Sequence, residues 1–519
     1  MAHARTSLVQ TRTLVDTFVR LATTCTLASL LLACEAAPAV QVLGDSTRLA
    51  RGERSPATSP IFAGGKVSLF GARGETLGLS VRISDGQHRE ARLSLPEAAA
   101  KVTAFRVSSL QVSEPSTGMY GPSRGPGVYP DVLTPVAGGV DGADLAFFDV
   151  AIAENATPGR YSGELAVGQR RLPVVLRVMR AQIDPEREPL VWAFYLPREI
   201  ARVHELPEDD GPELIAKERS YHDLFRAHAV LLASDLPPRR FAPRRGFMHD
   251  LRYWPVALDT STDESIARDV GQWLELFRGT DVTPFAIPVD EPRTTADKLR
   301  AKHVAAVMGR AGAGRPRLLR GVTDVASPIY GDAIDVFISP KNFPAVRAAR
   351  AHTGERFWTY NGRPPEAGSM ILDTDGLALR TWGWIAFRYD IELWYAWEAL
   401  YFSDRYNGGG PTAVTREPVT FDERRRGGAD FGNGDGVLAY PGPLPSLRLK
   451  ALRRGLLDRL LLRELATCGG EALARQIAER IVPRALGEAG ARASWPNREA
   501  SFEQARRQVL DGIEKHCPP

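Results

Sequence analysis

The 519-residue chain lacks the motifs that mark several common enzyme classes. The patterns HExxH, GxSxG and Walker-type GxxxxGK[ST] are absent, so nothing supports a zinc protease, a nucleophile-elbow hydrolase or a nucleotide-binding protein. The four cysteines do not have zinc-site spacing. Basic and acidic residues nearly balance, at 66 against 62, and no Lys/Arg block is interleaved with aromatics. We therefore expect no metal, no other cofactor and no nucleic-acid partner.

Long apolar runs are also absent, and the N-terminal one is too short to span a bilayer. It covers Leu21–Ala33 and follows Arg5, Arg12 and Arg20, whereas a membrane span needs about 20 residues. This pattern predicts a signal peptide over 1–34. The ending Leu-Leu-Ala-Cys resembles a bacterial lipobox, in which Cys34 becomes the lipidated first residue of the mature chain. The expected location is the bacterial cell envelope, on the periplasmic face or the outer surface. The alternative is ordinary secretion with an incidental cysteine.

Two cysteines remain for a disulfide once Cys25 leaves with the signal and Cys34 carries lipid. They are Cys468 and Cys517, both in the C-terminal region. Disulfides persist outside the cytoplasm. We predict that these two cysteines bond and join the last helices. The sequence makes no prediction of oligomeric state.

The predicted fold is multidomain, with a β-sandwich followed by an α/β barrel. Residues 35–60 are rich in Ala, Pro, Ser and Arg and predict a tether. Over 61–180, short alternating apolar runs separated by turn residues predict an accessory β-sandwich. Over 186–405, strand-like and helix-like segments alternate, which is typical of a TIM-like (β/α)8 barrel. Residues 406–519 predict a loop and helices packed on the barrel, with the arginine-rich face of Ser446–Ala466 solvated.

The segment Thr283–Pro292, TPFAIPVDEP, is the strongest candidate for catalysis. A buried apolar run ends in two adjacent acids, Asp290 and Glu291, and barrel enzymes keep their chemistry at the carboxyl ends of strands. Two neighbouring carboxyls suit acid/base work on a glycosidic bond, because one can stay ionised while the other keeps its proton. The alternative is that these acids cap the helix that follows.

The segment Thr381–Phe402 contains nine aromatic rings. We interpret it as a large helix packed against the barrel, with one or two rings in a cleft. Aromatic rings in such a cleft stack on the apolar C–H faces of sugars.

Most of the chain after the tether resembles a known family. The motifs are FAIPVDEP, the Trp-rich segment, GNGDGVLAYPG at Gly432–Gly442, the helix from Ser446 to Gly455, and LFGARGETLGLSVRI with Arg73 and Glu75. Together they resemble bacterial "domain of unknown function 4091" proteins, which are similar to glycoside hydrolase family 123. The chain departs from that pattern at Lys450 and Arg454, where acids are common, and at Glu392, where Gly is common.

The resemblance implies a retaining, substrate-assisted hydrolase of β-linked N-acetylhexosamine. Glu291 would be the general acid/base, and Asp290 would orient the acetamido group whose oxygen attacks C1. The candidate substrate-binding residues are Tyr360, Asn361, Trp358, Trp384 and Asp435. For Asp435 the alternative is a turn-shaping role. Two other functions stay open: a two-carboxylate hydrolase of another sugar using Asp324 or Asp373, and a non-catalytic glycan-binding lipoprotein.

Overall fold

The computed structural model describes residues 40–83, 90–187, 189–234, 236–248, 251–313 and 318–517. The predicted signal peptide, Cys34 and the first residues of the predicted tether lie outside these ranges. Within the described residues, no helix combines the length and apolar character needed to cross a membrane.

The N-terminal domain is a β-sandwich of two five-stranded sheets. Its strands are β1 Val40–Gly44, β2 Phe62–Ala63, β3 Lys66–Arg73, β4 Thr76–Ile83, β5 Ala91–Ser94, β6 Ala100–Val112, β7 Gly127–Val136, β8 Leu145–Ile152, β9 Gly159–Val167 and β10 Arg170–Gln182. The sheet orders are β1-β4-β8-β6-β7 and β2-β3-β10-β9-β5. In β3, buried Val67 and Leu69 alternate with exposed Lys66 and Ser68, so one face of the strand joins the core between the sheets.

The structure corrects the predicted tether over 35–60. Val40–Gly44 is an edge strand, antiparallel to β4. Val40 and Val42 are buried because their two-residue spacing puts both on the inner face of the sandwich. This short alternation is easily missed beside an Ala- and Pro-rich segment.

The second domain is built on eight parallel strands that form a nearly closed barrel. They are β11 Val191–Tyr195, β12 Val230–Ser234, β13 Tyr253–Pro255, β14 Thr283–Ala286, β15 Leu319–Val322, β16 Val336–Ile338, β17 Arg356–Tyr360 and β18 Trp394–Ala396. Their order is β12-β11-β18-β17-β16-β15-β14-β13, and every neighbouring pair is parallel. The carboxyl ends of all eight strands therefore meet at one rim.

Helices follow most of these strands, and the predicted (β/α)8 pattern is incomplete. They are α1 Pro197–Val203, α2 Pro212–Arg226, α3 Pro238–Phe241, α4 Asp263–Leu276, α5 Thr295–Ala311, α6 Phe343–Ala349 and α7 Thr381–Arg388. Between β15 and β16 the chain makes only a 3₁₀ turn, at Pro328–Tyr330. The domain is TIM-like in its strands and irregular in its helical layer.

The Trp-rich segment is not one large helix. It forms α7, turns at Asp390, whose φ is +51°, and continues as barrel strand β18. Seven of its nine rings are buried, which leaves Tyr395 and Trp397 partly exposed. A strand was not predicted because Thr381–Phe402 is apolar almost throughout, so helical and strand periods are hard to separate.

The C-terminal region packs helices between the two domains. It contains the pairs β19 Val419–Asp422 with β20 Phe431–Asn433 and β21 Ala439–Tyr440 with β22 Leu444–Pro445, then α8 Leu447–Leu465, α9 Glu471–Ile481 and α10 Glu499–His516. A disulfide joins Cys468, in the turn after α8, to Cys517 at the end of α10.

The basic face of α8, predicted to be solvated, is buried against the sandwich. Lys450 donates to Asp149 of β8 at 2.6 Å, and Arg454 donates to Glu75 at 2.8 Å. All four side chains are buried. Two of the three positions that depart from the resemblance, Lys450 and Arg454, are thus charges paired with acids of the sandwich.

Candidate active site

Asp290 and Glu291 lie where β14 reaches the rim of the barrel. The strand ends at Ala286, and three apolar residues lead to the acids. The next helix, α5, is capped by Thr294, whose hydroxyl accepts from the Asp297 backbone N–H at 3.1 Å, while Asp297 accepts from Thr294 N–H. These reciprocal bonds form a capping box. The acids are therefore not the cap of this helix.

The hydroxyl of Thr323 forms a hydrogen bond with each of the two acidic residues. Thr323, directly after β15, donates its Oγ1 hydrogen to Asp290 Oδ1 at 2.6 Å and accepts from the Glu291 backbone N–H at 2.6 Å. A hydroxyl can do both because it carries one hydrogen and two lone pairs. Thr323 is itself buried, so its position is set by the barrel wall.

Glu291 has a left-handed backbone, with φ of +40°. That conformation is uncommon for a residue with a side chain and is found at functional sites and turns. It breaks the alternation of an extended strand, which would send neighbouring side chains to opposite faces. The Tyr360 hydroxyl donates to Glu291 Oε1 at 3.0 Å, and Arg293 donates to Oε2 at 3.0 Å. The Glu291 side chain remains 43% exposed.

The surroundings of the pair shift the pKa of two groups. The pKa of Asp290 is raised, first because protein atoms displace part of its water and then because Glu291 is negative, while the Thr323 hydrogen bond opposes the rise. The Asp290 side chain still reaches solvent. Burial and Glu291 raise the pKa of Tyr360, so its hydroxyl stays protonated as a donor.

Asn361 follows Tyr360 and connects two strand ends. Its Oδ1 accepts from Trp397 N–H at 2.8 Å, and its carbonyl accepts from Trp394 Nε1 at 2.8 Å. Its φ is +50°, which an Asn tolerates. These bonds give Asn361 a scaffold role that ties the end of β17 to the end of β18.

Trp358 and Trp384, both predicted to bind substrate, lie in the protein interior. Trp358 precedes Tyr360 by two residues, so it points into the barrel below it, where it packs edge-on against Phe285 at 4.9 Å. Trp384 lies on α7 and donates its Nε1–H to Asp458 at 2.9 Å. Both rings are buried to within 1% of full burial. The local sequence could not separate rings that fill a core from rings that line a cleft.

Asp435 is buried rather than open to solvent. Its Oδ1 accepts from Trp397 Nε1 at 3.1 Å, and burial raises the pKa of Asp435 to about 6. The loop residue therefore orients the Trp397 ring.

The carboxylates considered for a two-carboxylate mechanism are engaged elsewhere. Asp324 pairs with Lys298 Nζ at 2.7 Å and accepts from the Tyr330 hydroxyl at 2.7 Å. Asp373 is fully buried and accepts from Ser116 Oγ at 2.6 Å and from Ser116 N–H at 2.8 Å. Neither is placed as a free partner for Glu291.

Sequence reasoning missed Thr323, Arg293 and the orientation of Trp397. Thr323 stands one residue beyond β15, so the strand-end rule that found Asp290 also applies to it. In the described part of the chain, one group of side chains is close enough to share a metal ion: Glu464, Cys468 and Cys517. Its two cysteines are bonded to each other, so this group does not offer free thiolates.

Comparison with known proteins finds a solved structure with the same fold. No protein-family model and no curated protein matches the chain. Among solved structures, a family 123 glycoside hydrolase from Clostridium perfringens, studied for glycolipid glycan hydrolysis, superposes with a TM-score of 0.64. The sequences are 11% identical, and the match covers 92% of this chain and 98% of the other. The two proteins share a fold.

Other solved structures resemble the chain too weakly to support a conclusion about its fold. Two putative α-galactosidases from Bacteroides fragilis match with TM-scores of 0.24 and 0.22, over 64% of this chain and 72% of theirs, at 11% and 8% identity. The resemblance to domain of unknown function 4091 stays a prediction.

Proposed function

We propose that the protein is a glycoside hydrolase that cleaves a β-linked N-acetylhexosamine, of the N-acetylgalactosamine type, with retention of configuration. The observation that carries the proposal is the pair Asp290–Glu291 at the barrel rim, joined through Thr323 and exposed to solvent. The fold shared with a family 123 glycoside hydrolase supports the glycoside hydrolase part of the proposal.

In the proposed reaction, the acetamido oxygen of the substrate attacks C1, and Glu291 gives its proton to the departing glycosidic oxygen. Asp290, ionised, orients the acetamido N–H and stabilises the oxazolinium ion. Glu291 then takes a proton from the water that opens this ion. Tyr360 and Arg293 hold the Glu291 carboxyl from two sides. No enzyme nucleophile is needed, which sets this scheme apart from the usual pair of carboxylates.

The location is part of the proposal. A lipid on Cys34 would hold the enzyme at the bacterial cell envelope, with the sandwich following closely, since β1 begins at Val40. A glycan of the envelope or its surroundings would then be within reach.

The first test is release of p-nitrophenol from a panel of p-nitrophenyl glycosides by protein starting at residue 35. We expect release from an N-acetyl-β-hexosaminide, and a drop of at least about 100-fold in kcat/KM for Glu291→Gln, the usual size of a lost general acid. Asp290→Asn should be nearly as damaging. The melting temperature should change little, because Gln can still accept the Tyr360 bond.

The matched control is Glu97→Gln, an exposed residue on the sandwich, which should keep full activity. Normal turnover by Glu291→Gln would refute the mechanism. Binding of the sugars without turnover by the wild-type protein would favour the non-catalytic alternative.

A further inference from the structure

An exposed aromatic ring lies on a loop that the proposed mechanism does not use. Tyr406 is 48% exposed. In the described residues, the large apolar side chains that are exposed are Met119, Leu299 and Tyr406. The Tyr406 ring centroid lies 6.0 Å from that of Trp397, whose backbone N–H donates to the side chain of Asn361, the residue after Tyr360. Tyr360 in turn donates to Glu291. Asp290 is close enough to contribute to the raised pKa of Tyr406.

The ring is held firmly although it is exposed. Tyr406 stacks on Tyr401, with centroids 5.8 Å apart and planes at 14°. The Tyr406 backbone N–H donates to the Tyr401 hydroxyl at 3.2 Å, and that hydroxyl donates to Asp404 at 2.8 Å. Asn407 donates to the same Asp404 oxygen at 2.9 Å. The loop around Tyr406 is therefore ordered by buried polar contacts.

A buried cation lies behind the two stacked rings. The Arg405 guanidinium is 4.7 Å from the Tyr401 centroid and 4.9 Å from the Tyr406 centroid, with its side chain 10% exposed. It donates to Glu398, which is fully buried, at 2.7 Å, and lies 3.6 Å from Glu199 of α1. Two buried acids thus anchor the arginine that supports the Tyr406 ring.

This arrangement differs from an incidental surface aromatic. A site that recognises a ligand holds its contact groups in place with a supporting set of packed and hydrogen-bonded side chains. Here the Tyr401 ring and the acids that pair with Arg405 are buried, while Tyr406 itself is 48% exposed. A pyranose ring presents an apolar C–H face that matches such a surface.

We propose that Tyr406 is a specificity-determining residue that stacks against a sugar ring of the substrate, with Trp397 forming the adjoining edge. This inference rests on the proposed function for its substrate class. The contact lies outside the reacting bond, so it strengthens binding of substrate and transition state equally. Its loss should raise KM and leave kcat nearly unchanged.

The experiment compares Tyr406→Ala and Tyr406→Phe with the wild-type protein. The readouts are KM and kcat on the active N-acetyl-β-hexosaminide and calorimetric Kd for free N-acetylgalactosamine and N-acetylglucosamine. Tyr406→Ala should raise KM, and the Kd of the sugar that binds, about three- to tenfold, the size expected for one aromatic contact. Tyr406→Phe should keep near wild-type values because the ring remains.

The control is Leu299→Ala, which removes a similarly exposed apolar side chain, 51% exposed, from α5. It should leave all values unchanged. Unaltered KM and Kd in Tyr406→Ala, or equal losses in Tyr406→Phe, would overturn the inference, as would a wild-type protein that binds neither sugar. Sugar binding that weakens in Tyr406→Ala without any turnover would support the contact while refuting the hydrolase.

Discussion

At the scale of single residues, Thr323 determines how the acid pair is presented. Thr323 follows β15, whereas the acids follow the neighbouring strand β14. The Thr323 hydroxyl therefore links the ends of two adjacent strands by hydrogen bonds. The adjacency of Asp290 and Glu291 is visible in the sequence. Their coupling through Thr323 depends on strand pairing across 32 or 33 residues, which no local pattern reveals.

Thr323→Val should shift the acid limb of the kcat/KM profile to higher pH. In the proposed mechanism Asp290 works as the anion, and the Thr323 hydroxyl lowers the pKa of Asp290 against the rise from burial and Glu291. Without that hydrogen bond the pKa of Asp290 rises further, so a higher pH is needed to ionise it. Because kcat/KM reports groups of the free enzyme, the shift is measured from kcat/KM against pH.

Thr323→Ser is the matched control for this experiment, since it keeps the hydroxyl. Its kcat/KM should fall at low pH with the same apparent pKa as in the wild-type protein. An unshifted limb in Thr323→Val would mean that the ionisation of Asp290 does not limit activity at low pH.

At the scale of elements, the strand ends were easier to predict than what surrounds them. The apolar run before Asp290 and the run before Tyr360 end at the rim as expected, because parallel barrel strands deliver their last residues to one face. Trp358 and Trp384, which were predicted to bind substrate, are buried in the structure, and the sequence could not show this. Inner barrel wall, helix face and cleft are all apolar environments, so composition alone does not separate them.

The disulfide links two elements, the turn after α8 and the end of α10, and should act on stability alone. Cys468 and Cys517 are 49 residues apart in the sequence, and replacing both with Ser removes the bond that closes this loop. The loss of such a bond typically lowers the free energy of unfolding by about 2–4 kcal/mol. We expect a lower melting temperature and unchanged kcat/KM, because the bond lies among the C-terminal helices and not at the acid pair. Dithiothreitol should destabilise the wild-type protein but have no effect on the double variant. Equal melting of the variant and the oxidised wild-type protein would contradict this role.

At the scale of the whole molecule, buried charge joins the sandwich to the C-terminal helices. Glu75 accepts from Arg454, 379 positions away, and Arg454 also donates to Glu503 of α10 at 2.8 Å. Arg380 contributes bonds of 2.9 Å to Asp458 and 2.8 Å to Glu503. Sequence analysis noted Glu75 and Arg454 as separate features. Their pairing could not be predicted, because the partners are brought together only when both domains are folded.

This interface also makes stability depend on pH through Glu499. Its carboxyl accepts from Ser46 N–H at 3.0 Å, and it faces Asp45, Arg380 and Glu503. Burial, with Asp45 adding to it, raises the pKa of Glu499 from 4.5 to about 7. The folded protein therefore holds a proton that the unfolded chain releases between these values. Stability from this group is present below pH 4.5 and is lost as pH rises through 7.

In Glu499→Gln the side chain cannot ionise, so the variant does not lose stability through this group as pH rises. The unfolding free energy of the variant minus that of the wild-type protein should therefore increase between pH 5 and pH 8. The gain is at most about 3 kcal/mol, at 1.36 kcal/mol per pKa unit. Urea unfolding of both proteins at several pH values measures the difference, and comparing the two cancels other groups that titrate in this range. At pH 5 the two proteins should be close in stability, because Gln resembles the protonated acid. A difference that stays constant with pH would show that Glu499 is already ionised in the folded protein, balanced by Arg380 despite its neighbouring acids.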